Sequence, residues 1–269
     1  MTSARPIVIE TRGLGKIFSI DRAPIIALHD ISFTVQEGGF VSLVGPSGCG
    51  KSTLLQMLAG LVPSTAGQVL VDGLVLREPA PDKISVMFQD ATLLPWKRVA
   101  ENIEFPLEIG GMNAADRRDR AAAMLSLVGL TEFAARYPHE LSGGMRQRIS
   151  IARALAPDPR ILLMDEPFGA LDEQTRIKMG HELLRIWSRT GKTIFFITHS
   201  LTEALFLSDV VLVMSHRPGK IVDVVVAGLP RPRTYDIIGS AEFGASRNRI
   251  WKLISQDDDT DASEGMASL

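Results

Sequence analysis

The stretch that decides the fold is VSLVGPSGCGKST, which runs from Val41 to Thr53. Its first four residues predict a short buried β-strand, and the apolar pattern TLLQMLAGL after residue 52 predicts a helix. The residues between them, Gly45 to Ser52, fit GxxxxGK[ST] at every fixed position. Glycines let a backbone bend closely around an anion, and the amides at a helix amino terminus point at it. The stretch therefore predicts a loop that cradles phosphate.

The loop supplies a set of candidate nucleotide contacts. Lys51 is expected to reach the β and γ phosphates, and Ser52 is expected to ligate Mg²⁺. The predicted contact set is Gly45, Pro46, Ser47, Gly48, Cys49, Gly50, Lys51, Ser52 and Thr53. We interpret Cys49 as a plain loop residue. Because a thiol near a helix amino terminus can have a lowered pKa, the alternative hypothesis is that alkylation of Cys49 blocks nucleotide by bulk and that ATP protects it.

A second candidate site is the acidic pair Asp165-Glu166. It follows the apolar run Ile161 to Met164, which predicts a strand, and the carboxyl ends of parallel strands are where ligands of such sheets gather. Two adjacent carboxylates are costly there without a cation. We therefore expect Asp165 to lie in a magnesium shell and Glu166 to act as the general base for an attacking water. The alternative is a solvated turn with two acids.

The composition of the chain limits the partners and the cellular compartment that are expected for it. The formal net charge of −2 and a pI near 6.2 offer no bulk attraction to nucleic acid, so no nucleic-acid partner is expected. The single cysteine excludes an internal disulfide and fits a reducing compartment. No apolar run approaches the ~18 residues of a membrane-spanning helix, so this chain is not expected to cross a bilayer alone.

Short apolar runs alternate with helical patterns and predict an α/β fold whose sheet is mostly parallel. The predicted parallel strands are 41–44, 84–88, 161–164, 194–198 and 210–214, and an antiparallel flank is predicted at 7–10, 31–35 and 69–72. The best helical patterns, 114–128 and 144–156, predict a helical subdomain inserted at 89–156. The acidic end of the chain, from about residue 256, is expected to be a disordered tail.

The stretch Leu141 to Gln147, LSGGMRQ, precedes the helical pattern RISIARAL and lies upstream of the acidic pair. It resembles LSGGQ, the signature of the ATP-binding-cassette (ABC) family, with Met145 at the position of the common glutamine. The hydroxyl of Ser142 and the amides of Gly143 and Gly144 at a helix amino terminus would form a second anion cradle. The resemblance implies a RecA-like P-loop NTPase fold, and a homodimer in which the cradle of one subunit closes on ATP held by another.

Further ABC elements occur in the expected order, and the resemblance spans roughly residues 7–232. It implies an ABC ATPase domain at 7–232 and leaves 233–269 as a carboxy-terminal extension. By this resemblance, Gln89 is the Q-loop residue that reaches magnesium and the attacking water, and Asp172 belongs to the D-loop at the dimer interface. His199 resembles the switch histidine that contacts the γ phosphate. Phe18 resembles the aromatic residue that stacks on adenine, although the neighbouring SIDRAPI could place another residue against the base.

The apolar segment Leu93 to Trp96, LLPW, is similar to that of ABC importers for nitrate, sulfonates and taurine. The resemblance implies an ATPase at the cytoplasmic face of the cell membrane. Its Leu93–Trp96 region would contact integral membrane permease subunits, which an extracytoplasmic solute-binding protein serves. A core-packed turn is the alternative for LLPW. For the whole chain, the alternatives are an exporter motor or a soluble ABC ATPase acting on nucleic acid or ribosomes.

Overall fold

The computed structural model describes residues 5–20 and 23–266 and divides the chain into two compact units. The split unit consists of the residues up to Pro79 and those from Thr193 onward, and the continuous unit is Ala80–Lys192. The strands are β1 (Ile7–Ile20), β2 (Ala23–Gln36), β3 (Phe40–Val44), β4 (Ala66–Val71), β5 (Leu74–Val75), β6 (Ile84–Met87), β7 (Ile161–Asp165), β8 (Thr193–Ile197), β9 (Val210–Met214) and β10 (Ile221–Val226). The helices are α1 (Lys51–Leu58), α2 (Val99–Ile109), α3 (Ala114–Leu127), α4 (Gly143–Leu155), α5 (Glu173–Thr190), α6 (Leu201–Leu207) and α7 (Ala241–Met266), with short 3-10 turns at Thr131–Phe133, Pro138–Glu140 and Tyr235–Gly239.

The split unit contains both kinds of strand pairing that the sequence predicts. An antiparallel sheet has the order β2-β1-β4-β5, which matches the predicted flank. Elsewhere in the unit β3 lies between β8 and β9 and is parallel to both, while β10 pairs antiparallel with β9. Every residue of β3 and of β8 is buried. Strands covered on both faces need continuous apolar runs, which is why these strands could be read from the sequence.

The continuous unit combines the parallel pair β6–β7 with helices α2 to α5. The two predicted helical patterns appear as α3 and α4, and both pack against α2. Helix α2 lies outside those two patterns. It contains Pro106, which interrupts a helical pattern because proline has no backbone N–H. The helix tolerates it because tertiary packing outweighs local propensity, with Ile103 and Leu107 buried.

Helix α7 continues into the acidic tail as far as Met266, and residues 267–269 lie outside the described residues. The disorder of the tail from about residue 256 stays a prediction. Extending an existing helix costs much less than nucleating one, which favours continuation beyond the anchored residues Phe243 and Ile250. None of the helices described is long and apolar enough to span a membrane.

Candidate functional site

The predicted phosphate loop joins β3 to α1 in the split unit. Gly48 and Gly50 have φ values of 74° and 106°, which favour glycine, and a Cβ on Gly50 would lie 2.8 Å from Leu28 Cδ2. The Lys51 side chain is buried, and its Nζ donates to the carbonyl oxygens of Gly45 and Pro46 at 2.8 and 2.6 Å. The loop therefore wraps around an ammonium group, an arrangement that fits an anionic ligand.

The environment of Cys49 contradicts the expectation of a lowered pKa. The residue is buried, and its Sγ accepts a hydrogen bond from Lys51 Nζ at 3.9 Å. Burial raises the pKa of the thiol because desolvation of the thiolate outweighs the attraction of the Lys51 charge. Burial and the raised pKa thus fit the interpretation of Cys49 as a plain loop residue, and the effect of its alkylation on nucleotide binding stays a prediction.

His199 leaves the sheet beside the phosphate loop. Strands β3 and β8 are parallel neighbours with Leu43 opposite Ile197, so the segments after Val44 and after Ile197 emerge at the same edge of the sheet. His199 is exposed there. Ser200 fixes the turn that follows, because its Oγ accepts from Glu203 N and caps α6.

Phe18 lies in β1 and is half-buried. Lys16 Nζ lies 5.0 Å from the centroid of its ring, which is within the range of a cation–π contact. One face of the ring is therefore near a cation. Of the neighbouring segment that could supply another base-stacking residue, positions 21 and 22 lie outside the described residues. The role of Phe18 stays a prediction.

The acidic pair and Gln89 come together in the continuous unit. Strands β6 and β7 are parallel with Met87 opposite Met164, so Gln89 and the pair leave the same edge. A Cβ on Gly169 would lie 3.4 Å from Gln89 Nε2 and 3.7 Å from Glu166 Oε2, which places both side chains around one point. Glu166 has a φ of 43°, a conformation that costs about 1–3 kcal/mol in non-glycine residues and clusters at functional sites.

The predicted second anion cradle opens helix α4. Ser142 is the N-cap, and its Oγ accepts from Met145 N at 3.3 Å. A Cβ on Gly144 would lie 2.9 Å from Thr175 Cγ2, so the close approach of α5 requires glycine there. A cavity of about 270 Å³ beside the cradle is lined by Ser142, Gly144, Met145, Arg148, Thr175, Lys178, Met179 and Glu182. The lining has two cations, Arg148 and Lys178, against one carboxylate, Glu182, and this excess of positive charge suits an anion.

Asp172 begins the helix that faces this cradle. It is the N-cap of α5, and its Oδ1 accepts from Thr175 N at 2.9 Å. Hydrogen bonds from Thr175, first from its backbone N–H and then from its side chain, lower the pKa of Asp172 because they stabilise the carboxylate form. The side chain is exposed and charged at neutral pH.

A row of polar residues on α4, which the sequence analysis did not single out, holds the chain after Gln89. Gln147 Nε2 donates to Gln89 O, and Ser150 Oγ donates to Ala91 O, both at 3.3 Å. Arg153 donates to the carbonyl oxygens of Ala91 and Thr92 at 2.9 Å. The sequence signal for this row is the spacing of three residues between its members, which puts their polar side chains on one face of the helix. The cradle helix and the Gln89 segment are therefore directly linked.

The segment Leu93–Trp96 is at the surface, as predicted. Trp96 is 72% exposed, which excludes a core-packed position for this side chain. The fully buried Asn102 fixes the turn: its Oδ1 accepts from Leu94 N, and its Nδ2 donates to the carbonyl oxygens of Leu94, Lys97 and Arg98. An exposed tryptophan on a rigidly held turn is typical of a contact site for another protein.

Comparison with known proteins gave consistent results. A family profile described as ABC transporter matches residues 28–169. The taurine import ATP-binding protein TauB of Rhizobium johnstonii is 48% identical over 87% of this chain and 90% of its own length. The nitrate import ATP-binding protein NrtD of Synechocystis is 42% identical over 97% of this chain and 99% of its own. Among solved structures, the dimeric ATP-binding cassette MJ0796 bound to ADP and Pi has a TM-score of 0.72 and 32% identity, and the match covers 82% of this chain and all of that one.

Proposed function

This chain belongs to the ABC transporter family as an ATP-hydrolysing subunit, and from that premise we propose that it drives an importer for a small anion such as nitrate, a sulfonate or taurine. The observation that supports the ATP-driven motor in this proposal is a pair of anion cradles, each at a helix amino terminus. One is the loop Gly45–Ser52 before α1, and the other is Ser142–Gly144 at the start of α4. Two separate cradles in one chain suit ATP that is gripped by two subunits.

The proposed chemistry is in-line attack of water on the γ phosphate. Lys51 holds the β and γ phosphates, and Glu166 takes a proton from the attacking water. Gln89, which lies near Glu166 in the structure, orients that water, and His199 contacts the γ phosphate. Phe18 is proposed to stack on the adenine.

The predicted magnesium set consists of Ser52, Gln89 and Asp165. A hydroxyl, an amide oxygen and a carboxylate are the hard oxygen donors that Mg²⁺ prefers, and none of these three residues is fully buried. Bound Mg²⁺ would neutralise charge that develops on the phosphoryl oxygens. The donor types of these three residues therefore fit this ion.

We propose that the working form is a homodimer, in which Ser142–Gly144 of one subunit closes on ATP held by the phosphate loop of the other. Asp172 is proposed to lie at that interface. Two features support the proposal: the exposed Ser142 hydroxyl at its helix terminus, and the dimeric form named for the cassette MJ0796.

The import assignment rests on the names of the relatives and on the exposed Trp96. We propose that integral permease subunits dock on Leu93–Trp96 at the cytoplasmic face of the cell membrane, and that a solute-binding protein delivers the anion on the other side. An exporter motor is the alternative. It is distinguished by purifying the chain from detergent-solubilised membranes and identifying whether an importer-type permease comes with it. Trp96→Ala is expected to lose that permease and to keep its nucleotide binding.

The catalytic assignments are tested with two variants and a matched control. Glu166→Gln is expected to bind ATP and to accumulate as a nucleotide-bound dimer, because the water is no longer activated. Lys51→Ala is expected to lose nucleotide affinity. The control is Lys220→Gln, which removes an exposed cation from the same unit. Hydrolysis by Glu166→Gln at the wild-type rate would show that Glu166 is not the base.

A further inference from the structure

The turn between β9 and β10, residues 215–220, is bound tightly to its surroundings. Within the turn, Ser215 N donates to Lys220 O at 2.9 Å, and Ser215 Oγ accepts from Lys220 N at 3.0 Å. The turn is also fixed to β2, because Gly219 N donates to Ala27 O and His29 N donates to Gly219 O, both at 3.0 Å. These bonds make the turn a rigid element.

This turn lies directly against the phosphate loop. A Cβ on the buried Gly219 would lie 2.3 Å from Cys49 O and 2.1 Å from Met214 Cε, so only glycine permits this packing. Arg217 reaches from the same turn to the loop, and its Nη2 donates to Gly48 O at 2.9 Å. The turn thus touches the loop at two consecutive residues, by backbone packing and by a charged hydrogen bond.

Gly48 needs such a contact. An anion cradle works when its amides point inward and its carbonyl oxygens point away, because an inward carbonyl would repel phosphate. Gly48 and Gly50 both have positive φ values, and glycine loses the most conformational freedom when it is ordered. A guanidinium that binds Gly48 O fixes this carbonyl and lowers the entropy that ATP binding would otherwise have to remove.

Arg217 also brings a charge to the loop. Its side chain is exposed, and in the described part of the chain its one hydrogen bond is to Gly48, although a guanidinium carries five N–H donors. Among the described residues no acid pairs with Arg217, so this cation adds positive potential beside the phosphate loop.

We propose that Arg217 is a positioning residue for nucleotide binding, which holds the phosphate loop in its binding conformation through Gly48 O. This inference rests on the proposed binding of ATP to residues 45–52. It predicts a specific kinetic effect: Arg217 preorganises the ground-state complex, so its loss raises the KM and the Kd for ATP and leaves kcat nearly unchanged.

The test measures the Kd for MgATP and the steady-state constants of the full chain in the presence of its permease. Arg217→Gln is expected to raise the Kd for MgATP about tenfold, which is the effect of losing one charge-assisted hydrogen bond. Arg217→Lys should recover part of that loss. Lys220→Gln is the matched control, since Lys220 is an exposed cation of the same turn, and it should bind ATP as the wild type does.

Gly219→Ala perturbs the same contact from the other side, because its methyl group would push the turn away from Cys49 O. Gly219→Ala should therefore also raise the Kd for MgATP, although Arg217 is intact. Wild-type affinity in Arg217→Gln, or equal losses in Arg217→Gln and Lys220→Gln, would overturn the proposal. Lys51→Ala, measured in parallel, separates this failure from failure of the proposed function: if Lys51→Ala also binds ATP normally, the loop itself is not the nucleotide site.

Discussion

Replacing Arg233 by methionine is expected to lower the free energy of unfolding of the split unit by about 3 kcal/mol. Arg233 is 6% exposed, and its guanidinium ends helix α6. It donates to the carbonyl oxygens of Leu205, Phe206 and Ser208 at 2.8–3.0 Å, and to Leu229 O at 3.3 Å. Methionine keeps much of the apolar stem and removes every one of these donors.

The magnitude follows from two opposing terms. A hydrogen bond from a charged donor contributes about 1.5–3 kcal/mol, and a buried carbonyl left without a donor costs about 1–3 kcal/mol. Burial of the cation opposes this gain, since desolvation lowers the pKa of Arg233 to about 10. Some of the freed carbonyls will regain water. We therefore expect a net loss well below the sum of four bonds.

Urea unfolding followed by circular dichroism, together with calorimetry, measures this change. For a chain of this size a loss of about 3 kcal/mol lowers Tm by about 6–12 °C. The control is Arg247→Met on the surface of α7, which should stay within about 0.5 kcal/mol of the wild type. Equal stabilities of Arg233→Met and Arg247→Met would refute the reasoning that this buried cation ends α6.

Three further outcomes are expected. Iodoacetamide should label Cys49 in the folded chain more slowly than a free cysteine at pH 7, because burial raises its pKa, and rapid labelling without urea would contradict this. The hydrogen bond from Lys192 lowers the pKa of Asp158 below 3.8, so its contribution to stability is present above 3.8 and is lost as the pH falls through the lowered value. The stability difference between wild type and Asp158→Asn should therefore vanish in acid, and an unchanged difference would argue against the pair. Arg153→Met should destabilise the continuous unit by about 2 kcal/mol relative to Arg118→Met at an exposed position, as urea midpoints can test.

The parts of the fold that could be predicted from sequence are those with a local cause. Strand β3 is buried along its whole length and therefore had to be apolar throughout, and the helical periods of α3 and α4 follow from their packed faces. Helix α2 was not predicted because Pro106 interrupts its helical pattern. In the structure, packing of the helix outweighs the local cost of this proline. Composition alone also cannot show whether a helix such as α7 will propagate into an acidic tail.

The residues of the candidate site also fall into those that a local motif reveals and those that it does not. The loop at 45–52 and the cradle at 142–144 are short, contiguous motifs, so their residues could be named from sequence. The partners of those motifs could not. Arg217 and Gly48 are 169 positions apart, and no local pattern connects them. The direction of the Cys49 pKa shift also depended on burial by distant residues, which reversed the effect expected of a helix terminus.

The division of the chain into a continuous and a split unit has a consequence for biosynthesis. The continuous unit is complete in sequence once Lys192 has left the ribosome, whereas the split unit is not. Strand β3 is made early, yet its neighbours β8 and β9 emerge about 150 residues later. During that interval an apolar strand has no parallel partner, so nascent chains that stall before residue 193 should be the species that chaperones and proteases recognise.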